Sequence, residues 1–321
     1  MPHSIKKRNQ RLHHKKTLDH RIKDIHRLAA KHKADSHVIT LPNIALGDLR
    51  RQFNPKNQGW DGLHPAIKRM VSKFKRYSLD SSRPLIIKAS DGGLLLVRTH
   101  LNDPAMLNQM AADIQTFPPP KNYKFKGIKR SDYMVWHLGT WAPYSKVCMV
   151  SRELRDLKQL GFEFLSKYSD VWTQMSRVLG QYAPGIFKQF QLYPLNEPCE
   201  RFCGAWAECV VNNGGNNPNQ TEAHRDVKES QYGYSCVLSF GDYTGGALVL
   251  FELGIIVEME PGDLLLFPDS LITHCNEPAE GNRMSIVTFT QENVCDYWHR
   301  TYNMKLRRQL RSKQTKKKPK K

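Results

Sequence analysis

His224, Arg225 and Asp226 set an imidazole and a carboxylate two positions apart, and a second imidazole (His274) and a guanidinium (Arg283) follow along the chain. In an extended segment residues i and i+2 point to the same side, so His224 and Asp226 can reach one ion together. With His274 they supply two neutral nitrogens and one anionic oxygen to one face of an octahedron, and three positions stay open. That donor set suits a non-haem Fe(II) centre that activates O₂. The Arg283 fork can grip a carboxylate through two charge-assisted hydrogen bonds, which suits the far carboxylate of a bound 2-oxoglutarate.

His-x-Asp alone is weak: with 13 His and 17 Asp in 321 residues, chance supplies roughly 0.7 occurrences. The surroundings strengthen it. Short apolar runs at Trp206 to Asn213, Tyr232 to Phe240, Ala247 to Leu253, Ile255 to Glu260, Leu264 to Phe267 and Arg283 to Thr290 read as strands. Breaks at 241–246 and 261–263 carry Gly, Pro or Asp, the usual turn residues. Many short strands at this spacing predict a sandwich or barrel of antiparallel sheet. Four residues in order on such strands outweigh the bland alternatives of a loop His and a strand-edge His.

The segment from about Phe202 to Gln291 resembles the double-stranded β-helix core of the Fe(II)/2-oxoglutarate dioxygenases. His-x-Asp, the Gly-Gly-Ala-Leu turn, Pro-Gly-Asp-Leu-Leu-Leu-Phe, the distal His and Gly-Asn-Arg-Met-Ser occur in that family's order. Within the superfamily the chain is most similar to the TET/JBP branch, which oxidises methyl groups on nucleobases. The resemblance implies an α+β fold with a jelly-roll, cupin-like core buttressed by helices. It implies iron ligands His224, Asp226 and His274, with Arg283 on the distal carboxylate of 2-oxoglutarate, Ser285 as helper and O₂ as co-substrate. The expected reaction is oxidation of a methyl group on 5-methylcytosine or N6-methyladenine in DNA.

Some positions depart from that branch. The well-known 5-methylcytosine oxidases carry an Asn three places after the Asp ligand, where this chain has Glu229, and a base-contacting His beyond the Arg strand, where it has Gln291 and Glu292; Glu229 and Gln291, with Asn213, are the candidate substrate contacts. Their Cys-rich zinc region has no counterpart here. Asn212 and Asn213 stand on the strand before the ligand loop, as contacts to co-substrate or base or as turn residues. Tyr232 and Tyr234 read as pocket lining or, more simply, as core. Two other functions fit the same residues: a protein hydroxylase with the same iron site, and a catalytically idle nucleic-acid-binding protein.

The charge lies at the ends. Residues 1–33 carry 11 Lys/Arg against two Asp, and 300–321 carry 11 against no acid, so the net +19 leaves −1 for 34–299. Basic arms of this kind suit phosphate backbones, where binding releases counterions and depends steeply on salt. They contribute affinity, not selectivity. Nucleic acid, DNA first, is therefore the expected partner of a monomer. Lys316-Lys317-Lys318-Pro319-Lys320-Lys321 resembles a nuclear import signal, so the nucleus is the expected compartment. No run of 18 apolar residues predicts a membrane span. The polar, basic start lacks the apolar stretch of a secretory leader. Seven Cys show no Cys-x-x-Cys pattern; Cys199, Cys203 and Cys209 are candidate ligands or, by the intracellular rule, free thiols.

The expected organisation is a basic arm (1–37), a mixed α/β part (38–200), the catalytic core (201–299) and a basic tail (300–321). Leu18, Ile22, Ile25 and Ala29 fall at helical spacing within the arm. Asp91-Gly92-Gly93 between apolar runs predicts a hairpin, Asp103-Pro104 a helix start, Phe162 to Leu179 one long helix, and His64 to Tyr77 a basic helix. A further helix follows Pro184.

Overall fold

The computed structural model describes residues 36–56, 69–78, 83–120, 134–142, 144, 147–192, 201–214 and 221–300. The arm helix, Cys199, Lys68 and the tail after Arg300 lie outside the described residues. The chain is α+β. Its strands are β1 (His37–Leu41), β2 (Lys75–Tyr77), β3 (Leu85–Ala89), β4 (Leu94–His100), β5 (Met134–Trp141), β6 (Met149–Val150) and β7 (Glu208–Asn213). They continue as β8 (Thr221–His224), β9 (Ser235–Gly245), β10 (Leu248–Leu250), β11 (Ile255–Val257), β12 (Asp263–Phe267), β13 (His274–Asn276) and β14 (Ala279–Phe289). The helices are α1 (Leu46–Arg51), α2 (Pro104–Gln115), α3 (Arg152–Leu157), α4 (Gln159–Lys167), α5 (Ser169–Tyr182) and α6 (Pro184–Leu192).

Two sheets carry everything else. The larger has the order β1-β3-β4-β12-β9-β14-β7-β5-β6, and the smaller β2-β11-β10-β13-β8. Strands from before and after residue 200 thus hydrogen-bond into the same large sheet. Pairs β3/β4, β4/β12, β12/β9, β9/β14, β14/β7 and β7/β5 are antiparallel, and β1 adds to β3 in parallel.

Each sheet face finds an apolar cover. On one face of the large sheet, Trp136, Leu138, Cys209, Val211, Cys236 and Leu238 pack on the helices through Met110, Ile114, Phe164, Trp172 and Met175. Helix α5 buries Val171, Trp172, Met175, Val178 and Leu179, one stripe at the helical period. Between the sheets, Leu85, Ile87, Leu96, Leu265 and Phe267 meet Leu250, Ile255 and Val257. The outer face of the small sheet, Val249, Phe251 and Ile256, is covered by Met70, Val71 and Phe74. A buried ion pair ties β4 to β12: the Arg98 guanidinium lies 2.7 Å from the Asp263 carboxylate, which also accepts from the Glu260 N–H at 2.6 Å.

The hairpin and the Asp103 cap lie where the sequence puts them. The Asp103 carboxylate accepts from the Met106 N–H at 3.0 Å. Three expectations change. The long helix over 162–179 is two helices broken at Tyr168, whose hydroxyl reaches across to the Asp113 carboxylate at 2.7 Å. It also runs on past Gly180 to Tyr182, just before Pro184. The expected basic helix ends early, because Lys75–Tyr77 pairs in parallel with β11 and is extended. The Gly-rich stretch from 241 is not a turn throughout: β9 runs to Gly245, paired with β14 over its whole second half. Gly241 permits this with φ +103, since a Cβ there would lie 2.1 Å from the Asn282 carbonyl oxygen. Among the described residues no helix is long and apolar enough to cross a membrane.

Candidate metal centre and cavity

A cavity of about 760 Å³ opens between the sheets, lined from the large one by Val135, His137, Val210, Asn212, Ser285 and Val287, and from the small one by Thr221, His224, Leu248 and His274. His224 ends β8 and His274 begins β13, and the two are register partners. Asp226 follows in the loop, its backbone N–H on the Asp269 carbonyl at 3.3 Å. The three donor groups lie within 4.8 Å of one another.

Hydrogen bonding fixes which ring nitrogens face that point. Nδ1 of His224 lies 2.7 Å from the Glu222 carbonyl oxygen, and Nδ1 of His274 lies 2.9 Å from that of Ile272. A carbonyl oxygen only accepts, so both Nδ1 atoms carry the proton and both Nε2 atoms present a lone pair. Each Nε2 stands 3.7 Å from Asp226 Oδ2. Two donors held about 2.1 Å from one ion are separated by ~3.0 Å at a right angle and ~4.2 Å when opposed. The 3.7 Å edges fall inside that range, so this donor set fits a divalent ion.

Across the cavity, β14 carries Arg283 and Ser285, and the Asn212 amide on β7 donates to Ser285 Oγ at 3.1 Å. The Arg283 guanidinium lies 5.6 Å from the centre of the Tyr243 ring. Its stem rests on Gly246, where a Cβ would stand 3.0 Å from both Cδ and Nε. Gly246 holds φ +70. A bare backbone under a fixed guanidinium is a cradle that fits a carboxylate.

The three proposed substrate residues differ in placement. Glu229 and Gln291 line the cavity, but both are engaged: Glu229 accepts from Ser235 Oγ at 2.5 Å, and Gln291 Oε1 accepts from the Ala142 N–H at 2.7 Å. Burial first, then the neighbouring Asp269 and Asp226 carboxylates, push Glu229 well above the usual carboxylate range. Asn213 is buried and, by strand alternation, lies on the face opposite Asn212. Of the tyrosines, Tyr234 is core, with its hydroxyl on the Leu94 carbonyl at 2.9 Å, and Tyr232 is exposed. Cys203 and Cys209 are buried free thiols, and burial raises Cys203 well above the ordinary thiol value.

Several residues of the site escape the sequence reading. Arg225 points away from its two neighbours and pairs with Glu252, while its Nε donates to Thr273 Oγ1 at 2.9 Å. Glu252 also accepts from the Thr273 N–H and hydroxyl at 2.6 and 2.7 Å. The network thus ties the residue between two ligand candidates to the residue before the third. An Arg between two inward-facing groups of an extended segment must face the other way, and that was the available signal. Asp269 and His137 carry no such mark. Burial, against the Asp226 charge, lowers His137 to about 4.

No protein-family model matches the chain, and no curated protein matches it. Solved structures do. One is NgTET1 in complex with 5mC DNA, with a TM-score of 0.55 and 15% identity over 81% of this chain and 84% of that one. The chain shares the fold of NgTET1. Two looser likenesses are OsALKBH1 (TM-score 0.38, 14% identity, 61% and 96% covered) and an oxidoreductase of the 2OG-Fe(II) oxygenase family from Burkholderia pseudomallei (0.40, 12%, 79% and 93%). The likeness to NgTET1 covers about four-fifths of each chain, far more than one motif.

Proposed function

We propose that this protein is an Fe(II)- and 2-oxoglutarate-dependent dioxygenase that oxidises a methyl group on a nucleic-acid base, and that its paired sheets form a double-stranded β-helix. The observation that carries this is the pair of imidazole Nε2 atoms, each 3.7 Å from Asp226 Oδ2 with its Nδ1 proton held by a backbone carbonyl. His224, Asp226 and His274 would hold iron, and Arg283 with Ser285 and Asn212 would hold 2-oxoglutarate. Iron(II), 2-oxoglutarate and O₂ together supply the power to hydroxylate a C–H bond.

The chain's own residues have three tasks. The Glu222 and Ile272 carbonyls keep each imidazole in the tautomer that binds a cation. Arg283 would hold one carboxylate of the co-substrate through its guanidinium fork. Val135, Val210, Val237, Val287, Phe267 and Phe289 line the wall, where they exclude water and accept a methyl group. A base inside a duplex cannot reach such a cavity without leaving the stack, at a cost of a few kcal/mol. Phosphate contacts from the basic ends would offset it. The neighbour solved with 5mC DNA supports a nucleic-acid substrate, and the Lys-rich end supports the nucleus.

The test is succinate formation by the full chain with methylated oligonucleotides or with peptides, followed by mass spectrometry of the nucleosides. Oligonucleotide should stimulate turnover and peptide should not. Asp226→Ala should abolish turnover and leave oligonucleotide affinity nearly unchanged; activity in that variant would refute the site.

A further inference from the structure

Most polar side chains facing the cavity already have partners. The Asn212 amide donates to Ser285, the Asn276 carbonyl accepts from the Thr221 backbone N–H, and Gln291 and Glu229 are held as described. His137 differs. Its Nδ1 is buried with no hydrogen-bond partner, and Ser151 Oγ donates not to the ring but to the backbone carbonyl, at 2.6 Å. Buried polar atoms are almost always paired, so an exception on a cavity wall calls for a ligand.

The placement suits one. His137 sits on β5 opposite Val210, and both line the cavity with Val135. The ring packs on Trp141, with centroids 4.1 Å apart at a 58° tilt. His137 and Asp226 line the same cavity. We propose that His137 hydrogen-bonds the edge of the substrate nucleobase, with Trp141 fixing the plane of the imidazole. This rests on the nucleic-acid reading above and names the residue that serves it.

The chemistry separates a base from a phosphate. Burial keeps the imidazole neutral at physiological pH, and a divalent cation nearby would keep it so more firmly. A neutral ring offers one N–H and one lone pair. Its unpartnered nitrogen can therefore meet either the ring nitrogen or the exocyclic amine of an aminopyrimidine or aminopurine, and a neutral ring lacks the charge that draws a phosphate anion. Apolar neighbours add the dry surroundings in which one hydrogen bond discriminates.

The test compares wild type with His137→Phe and His137→Asn. All are full-length, loaded with Mn(II) and 2-oxoglutarate without O₂, and offered oligonucleotides with 5-methylcytosine, N6-methyladenine or an abasic site at one position. Wild type should prefer one of the base-bearing strands to the abasic strand. His137→Phe keeps a ring against Trp141, and should lose about tenfold of that preference while binding Mn(II), 2-oxoglutarate and the abasic strand as wild type does. His137→Asn, which keeps a donor and an acceptor, should restore part of it. Full preference in His137→Phe overturns the assignment, and so does loss of Mn(II) binding, which would make the ring structural. Absence of any base preference in wild type overturns the nucleobase reading itself, and this assignment with it.

Discussion

Replacing Glu252 by Gln should loosen the metal centre without touching a ligand. Arg225 and Glu252 are 13% and 16% exposed at their side chains, so their charges are little screened. Both Glu252 oxygens accept: one from Arg225 and the Thr273 hydroxyl, the other from the Thr273 N–H. A Gln keeps one oxygen and sets an NH₂ where the other stood. Whichever way the amide turns, a donor then faces a donor, either the Thr273 N–H or the Arg225 guanidinium.

Losing one partner of a buried pair costs about 3–5 kcal/mol, and the residual exposure brings this to roughly 3 kcal/mol. The same network steers the segments that carry Asp226 and His274, and loss of such a support typically weakens metal binding by about 10–100-fold. Urea unfolding of the metal-free protein reads the first effect, and anaerobic titration calorimetry with Fe(II) reads the second. Glu258→Gln is the control: Glu258 sits 3.7 Å from Arg76 with both side chains about two-fifths exposed, so it should cost well under about 1 kcal/mol. Wild-type Fe(II) affinity in Glu252→Gln would refute the reasoning, even if stability fell.

Two further substitutions test other parts of the site. Gly246→Ala forces an L-residue to φ +70 and pushes a methyl group against the Arg283 stem. It should cost about 1–2 kcal/mol of stability and weaken 2-oxoglutarate binding about fivefold or more, with Fe(II) binding unchanged by calorimetry. Glu208 is fully buried, neither carboxylate oxygen has a partner, and burial, with Cys209 and Glu153 adding, pushes its carboxyl well above the usual value. Below the unfolded-state value of 4.5 both states hold the proton. Above it the unfolded chain releases the proton and the folded chain keeps it, so stability falls by about 1.4 kcal/mol per pH unit until the folded value is reached. Glu208→Gln should remove that decline: unfolding free energies of variant and wild type should agree near pH 4 and diverge in the variant's favour by about pH 7. Parallel curves would refute it.

The legible parts of this chain are those in which chemistry is local in sequence. The Asp91-Gly92-Gly93 turn, the Asp103 cap and the helix start at Pro184 are set by one to three residues, and the structure has them. The strands after residue 205 are legible too, because their apolar runs are short and closely spaced. Their ends are not. Nothing in Gly241 to Gly245 announces that β14 will run alongside and hold those residues extended. The break at Tyr168 is equally hidden, since it depends on Asp113, more than 50 positions away. His224, Asp226 and His274 were identifiable as a set because two are neighbours and all three have uncommon donor chemistry. His137, Asp269 and Glu252 are ordinary residues in ordinary surroundings until the sheets bring them in.

The division of labour between the two sheets has a consequence for how the site can fail. The imidazoles sit on the ends of β8 and β13 in the small sheet, while Arg283, Ser285, Asn212 and His137 sit on β14, β7 and β5 in the large one. The span from the His-Asp-His triangle to the guanidinium is therefore an inter-sheet distance, set by the apolar layer of Leu250, Ile255 and Val257 against Leu85, Leu265 and Phe267. A close-packed layer transmits a lost methylene as a shift. Small cavities there, at Leu250, Ile255 or Val257, should weaken 2-oxoglutarate binding while the His-Asp-His triangle stays intact; Phe267 should disturb both, since it lines the cavity and meets the His274 ring edge-on at 5.1 Å. Substitutions on the helical side of the large sheet, at Trp172 or Met175, lie behind one wall alone, and should lower stability before they change the spacing across the cavity.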